Sequence, residues 1–190
     1  MYCEIDEEIL GGRGQKICEM LVPLAGKSRL AYSIVSSRSE LMIAVHSGPR
    51  REDLFPRDWR FSTTVTGIRG GYYERWIAVD QKRNRFYIDR AYLHLYRRKP
   101  TESDETEIIA LHCDPNESDD VGLLKHAVYK RGPHIHVIVA EQPIPHSHFA
   151  LNATQLDHVL SSIDALHDAV GAGVVLLRDQ VLDVLDKHAL

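Results

Sequence analysis

Between residues 30 and 113 the apolar and polar positions largely alternate with a period of two, the pattern of strands that bury one face. "RLAYSIVSS" and "ELMIAVHSG" flank a polar Ser-Arg-Ser-Glu stretch and predict a hairpin. "RFSTTVTGI" and "YERWIAVDQ" are rich in β-branched and aromatic residues and predict two more strands, turned at Gly70-Gly71. "RNRFYIDRAYLHLYRR" alternates over its whole length. Tyr87, Ala91, Leu93 and Leu95 share one parity, and Phe86, Ile88, Tyr92, His94 and Tyr96 share the other. Apolar groups on both faces predict a strand in the middle of its sheet. "IIALHC" predicts a short strand ending at Asp114-Pro115, while "PRREDLFPRDW", "KPTESDETE" and "DPNESDD" read as loops. At the N-terminus "MYCEIDEEIL" fits a strand or a short helix, "GGRG" breaks it, and "QKICEMLVPL" is expected to be a strand.

From Asn152 the period changes. Leu156, Val159, Leu160, Ile163, Leu166 and Val170 step by three and four and predict a helix, capped by Asn152 or Thr154 and stopped by Gly171 and Gly173. A second amphipathic segment follows, with Val174, Leu177, Val181, Val184 and Leu185 as its seam. The expected fold is α+β: a mostly antiparallel sheet or partly closed barrel, then a C-terminal antiparallel helical pair. Residues 1–151 would form the β-rich domain, and residues 152–190 the helical pair, packed on that domain or on a partner.

Composition changes this picture only modestly. A chain of 190 residues with 44% hydrophobic and 26% charged residues has the ordinary make-up of a soluble domain with a real core. No apolar run approaches the ~20 residues that a membrane-spanning helix needs, and the acidic start is unlike a secretory leader. Three cysteines without C-x-x-C spacing argue against a disulfide framework or a cysteine zinc site, so a reducing, cytoplasmic setting is expected. The net charge of −4 argues against general nucleic-acid binding, but the charge is lopsided. Residues 50–99 carry thirteen Lys and Arg against six Asp and Glu, making the middle of the chain the candidate polyanion surface. Arg83, Arg85, Arg97 and Arg98 lie there among Phe86, Tyr87, Tyr92 and Tyr96, residue types that neutralise phosphates and stack on unpaired bases of RNA or single-stranded nucleic acid. The same alternation of aromatics also describes a core strand with solvated basic ends.

The chemistry concentrates in "RGPHIHVIVAEQPIPHSHFALN", which holds His134, His136, His146 and His148 as two His-x-His pairs. In a strand, residues two apart share a face, so each pair shares one. If the two segments pair antiparallel around "AEQPIP", a register that sets even positions against even ones, such as His136 against His148, gathers all four on one side. Such a cluster suits one divalent transition metal (Zn, Fe, Ni or Cu). It equally suits acid–base catalysis, because an imidazole pKa near 6.5 serves both roles. A structural role, each ring bonded to a neighbouring carbonyl or carboxylate, is the third option. "HIHVIVAE" resembles the His-x-His-x4-Glu of the first cupin motif, and "HFALN" resembles the His-x3-Asn of the second. The resemblance covers about twenty residues and implies a ligand set, His134, His136, Glu141 and His148, without implying the cupin barrel. "HIHVIV" is also similar to the motif of the histidine-triad nucleotide hydrolases, with Ile138 at the position of their third histidine. His112-Cys113-Asp114 places a base beside a thiol, but strand neighbours face opposite ways, so a buried structural cysteine is expected.

These readings give three expectations. The leading one is a binding or accessory module of a larger protein assembly, held to another protein or to a second copy through the C-terminal helices, with the histidine hairpin as a further surface. The second is a metal-dependent enzyme using the hairpin histidines. The third is a small metal-free ribonuclease in which His134, His136, His146 and His148 supply acid and base.

Overall fold

The computed structural model describes residues 4–37, 39–49, 54–79, 85–98, 104–114, 133–138, 146–150 and 159–187. The strands are β1 (Glu4–Asp6), β2 (Leu30–Ser36), β3 (Glu40–Ser47), β4 (Phe61–Ser62), β5 (Ile68–Ala78), β6 (Arg85–Arg98), β7 (Glu105–Cys113), β8 (His134–Ile138) and β9 (His146–Ala150). They form one open antiparallel sheet in the order β2-β3-β5-β6-β7-β8-β9, with β1 paired to β6 and β4 to β5. Two helical elements pack on one face: α1 (Glu7–Ala25) and α2 (Ile163–Leu177). After α2 the helix continues through a π turn at Arg178–Leu182 into α3 (Asp183–Lys187). This is the expected α+β class, with an open sheet rather than a barrel. Among the described residues no helix is long and apolar enough to cross a membrane.

The helix-facing side holds the core. Leu41, Ile43, Val45, Tyr72, Trp76, Ile88, Leu93, Leu95, Leu111 and Cys113 from the sheet meet Leu10, Ile17, Leu21 and Leu24 from α1 and Leu166, Val170, Val174 and Leu177 from α2. The parity expected for β6 changes partway along. Opposite Arg75 and Trp76 the register skips Asp89, a β-bulge. Phe86 and Ile88 therefore join Ala91, Leu93 and Leu95 in the core, while Tyr92, His94 and Tyr96 stay on the other face.

Three expectations are corrected, each where glycines were read as breaks. The N-terminal segment is one 19-residue helix through Gly11, Gly12 and Gly14, not a break followed by a strand. Leu10, Ile17, Leu21 and Leu24 keep a helical step, and burial of that stripe outweighs the low helix propensity of glycine. At Gly14 the reason for glycine is contact, since a Cβ there would lie 2.2 Å from the Tyr32 ring. Gly70 and Gly71 sit inside β5, and the chain turns earlier, where Gly67 has φ 82°. Phe61 occupies the space over Gly70, where a Cβ would meet its ring at 2.2 Å.

The C-terminal part is one continuous helical run rather than an antiparallel pair. Gly171 and Gly173 stay helical, and a Cβ on Gly173 would sit 2.3 Å from a Leu111 methyl, so this glycine lets α2 lie close on the sheet. Ser162 caps the run by accepting from the Ala165 amide at 3.1 Å, while the expected caps Asn152 and Thr154 lie outside the described residues. The π turn inserts one residue into the seam. Leu182 is thus buried where Val181 was expected, and Val184 is exposed.

One charged pair spans the core. Arg13 of α1 reaches Glu74 of β5 through Nη2 at 2.6 Å and Nε at 3.2 Å, and both side chains are buried. Tyr72 Oη (2.6 Å) and Trp76 Nε1 (3.1 Å) also donate to the Glu74 carboxylate. Arg13 Nη1 donates to His167 Nδ1 of α2 at 3.2 Å. Burial works against the Arg13 charge, but Glu74 and Tyr72 together outweigh it and hold the guanidinium protonated.

Candidate metal centre

The face away from the helices is polar and aromatic. Sheet register places Tyr73, Tyr92, His112 and His134 in one row across four strands, and His94, Ala110, His136 and His148 in the next. Tyr92 stacks on His112 with ring centroids 3.8 Å apart, and His112 lies 4.0 Å from His136 and 5.6 Å from His134. His134 is fully buried and His112 nearly so.

His112, His134 and His136 each offer a ring nitrogen such that all three lie within 4.8 Å of one another. Among the described residues this is the grouping with metal-site spacing. His134 Nε2 and His136 Nε2 are 2.9 Å apart. Between two uncharged rings, one of these nitrogens carries the proton and the other accepts it. A metal ~2.0–2.1 Å from both would see them at about 90°, a cis angle of an octahedral centre, and opening the pair by ~0.4 Å would suit a tetrahedron. Because two nitrogens on one metal stand at most about 4.1 Å apart, closing the triad needs shifts of less than ~1 Å.

The surroundings are polar and partly anionic. Tyr92 Oη donates to Asp114 Oδ2 in a short bond, and Asp114 Oδ1 is buried with no hydrogen-bond partner among the described residues. Burial, and then Asp114, push the Tyr92 hydroxyl far above its usual range, so it stays a donor. His94 donates from Nδ1 to Glu107 Oε2 at 2.6 Å and stacks on Tyr96 and Tyr73. Ala110 lies between His94 and His136 in the register, so no large side chain separates the two rings across the sheet.

The structure brings His134 and His136 together as the sequence predicts, and the hairpin takes the even register, His136 opposite His148 and Ile138 opposite His146. Glu141 and Arg83 lie outside the described residues, and for His146 and His148 the structure describes the strand positions alone. The third member of the triad, His112, comes from another strand. Sequence reasoning considered it only as a base for Cys113, and no local motif marks it, because its place beside His134 depends on the β7–β8 register. Cys113 itself is on the core face, fully buried, its thiol pushed up by burial and then by Asp114. Arg85 begins β6 and Arg97 and Arg98 end it, ~40 Å apart at a strand's rise per residue. Compared with known protein families, curated proteins and solved structures, the chain matches none.

Proposed function

We propose that this protein is a metal-binding protein of the catalytic type, holding one divalent transition metal through His112, His134 and His136. The observation that carries the reading is the approach of three imidazole nitrogens from two adjacent strands to within 4.8 Å. Three neutral protein ligands leave coordination positions for water or substrate, whereas structural zinc sites are usually closed by four. Asp114 adds support: a buried carboxylate with one oxygen lacking a hydrogen-bond partner among the described residues is costly unless a positive charge lies nearby. All-nitrogen imidazole donors suit zinc, iron, nickel or copper better than magnesium or calcium. The apolar seam that motivated the accessory-module expectation offers less to a partner, since its Val174 and Leu177 are buried in the chain's own core.

The test is elemental analysis of untagged protein purified without chelator, together with His112→Ala, His134→Ala and His136→Ala. About one metal per chain in the wild type, lost in all three variants, is the expected result. Metal-free wild type after reconstitution with zinc, iron(II) and copper(II), or variants that all retain metal, would overturn the reading. His112→Ala is the informative variant, because a hairpin-only site would survive it.

A further inference from the structure

His94 is a buried imidazole with one nitrogen fixed and the other unused. Its Nδ1 donates to Glu107 at 2.6 Å, and its Nε2 makes no hydrogen bond among the described residues. In the uncharged ring that nitrogen is an acceptor. That nitrogen is not one of the fully buried polar atoms without a partner, so it reaches solvent on the triad's face, where water, or a ligand that displaces it, can donate to it. His94 shares the triad's face. Its ring centroid is 5.2 Å from that of His112, and only Ala110 stands between it and His136 in the register. Packing holds the ring in place: Tyr73 and Tyr96 stack nearly parallel to it, at 8° and 18°.

We infer that the Glu107–His94 pair is a positioning device for the non-protein ligand of the metal centre, with His94 Nε2 accepting a hydrogen bond from a protic oxygen- or nitrogen-bearing group bound there. This inference rests on the metal reading above. The ligand class that fits is a coordinating molecule that keeps an O–H or N–H when bound: water, a hydrogen phosphate monoester, or a hydroxamate. An aprotic anion such as azide coordinates without using His94. Glu107 acts through His94, fixing the tautomer and the ring plane, as carboxylates commonly do for histidines around metals.

The two probes separate these roles. Cobalt(II)-loaded protein is titrated with acetohydroxamate, whose N–H survives coordination, and with azide, each followed by the visible cobalt bands. In His94→Ala the cobalt content should be unchanged, hydroxamate affinity should fall ~10-fold, as expected for one lost hydrogen bond, and azide affinity should stay within about twofold. Glu107→Gln should give a smaller effect of the same kind. His94→Gln, with an amide oxygen near the former Nε2, should recover part of it. Equal affinities for both probes in the variants and the wild type would overturn the inference and leave the metal site standing. Loss of cobalt in His94→Ala as complete as in His112→Ala would also overturn it, making His94 a fourth ligand. A wild type that takes up no metal would remove both readings. Far-UV circular dichroism confirms that each variant is folded, and the two Gln variants preserve the test if the alanine variant is not.

Discussion

Replacing Arg13 by Met removes one partner of a charge pair whose two side chains are at most 1% exposed. Met matches the stem of Arg as far as the Nε position, so the change removes chiefly the guanidinium. Glu74 would retain Tyr72 and Trp76 as donors but lose its counter-charge and the Nη2 contact at 2.6 Å. Breaking a buried pair from one side costs about 3–5 kcal/mol, more than the pair is worth intact, because the remaining charge stays desolvated. At a urea m-value of ~1–3 kcal/mol/M, the unfolding midpoint should drop by at least ~1 M. Trp76 is a suitable reporter, since its indole N–H bonds to the same carboxylate. The double variant Arg13→Met with Glu74→Gln should recover at least ~1 kcal/mol by removing the stranded charge. The reasoning is refuted if Arg13→Met lowers stability by less than about 1 kcal/mol, or if the double variant is less stable than Arg13→Met alone.

Further consequences can be checked with simple variants. His167 is held below its ordinary pKa by burial and then by Arg13, with Lys16 adding to them and Asp168 and Glu74 opposing. The unfolded chain therefore binds that proton more readily, so this contribution to stability is full above about pH 6.5 and shrinks as pH falls below it. His167→Gln should flatten the drop in melting temperature between pH 7 and 5, and an unchanged slope would count against the assignment. Gly11→Ala, with nothing within 4 Å of the new methyl, should stabilise α1 by up to ~1 kcal/mol. Gly14→Ala should lower the melting temperature, because its methyl would meet the Tyr32 ring, and equal behaviour of the two variants would refute the packing explanation. Cys18, buried and pushed up to about 11 by burial and then by Glu19, should, like the buried Cys113, resist iodoacetamide in the native state and be labelled in urea; rapid native labelling would contradict that burial.

How much of this was legible in the sequence depended on the range of each signal. Period-two alternation identified β6, the apolar segments flanking a polar turn identified the β2–β3 hairpin, and the spacing of His134, His136, His146 and His148 pointed to a hairpin but left open the even register that the structure shows. The failures at Gly14, Gly70 and Gly173 share a cause. Glycine is read locally as a turn, but here it admits a neighbouring Tyr32, Phe61 or Leu111 side chain, which no local window contains. The single-residue devices, a bulge at Asp89 and a π turn after Leu177, change which parity or face is buried without any compositional mark. His112 escaped for a further reason. A lone histidine in an apolar strand is usually structural, and only the pairing of β7 with β8 sets it opposite His134.

The bulge at Asp89 and the alternation between it and the second register shift, at Leu95 and Tyr96, sort this part of β6 and β7 into two interleaved sets of residues. Positions 91, 93, 95, 111 and 113 answer to the helices, and positions 92, 94, 110 and 112 answer to the imidazole face. Selection on folding and selection on chemistry would thus read the same short stretch of gene at alternate codons. In a saturation-mutagenesis scan, losses of cellular abundance should be concentrated on the first set, with the second losing metal or ligand binding beyond what abundance explains. Drift in one set would leave the other largely undisturbed, so this sheet could exchange its ligand chemistry while keeping its fold.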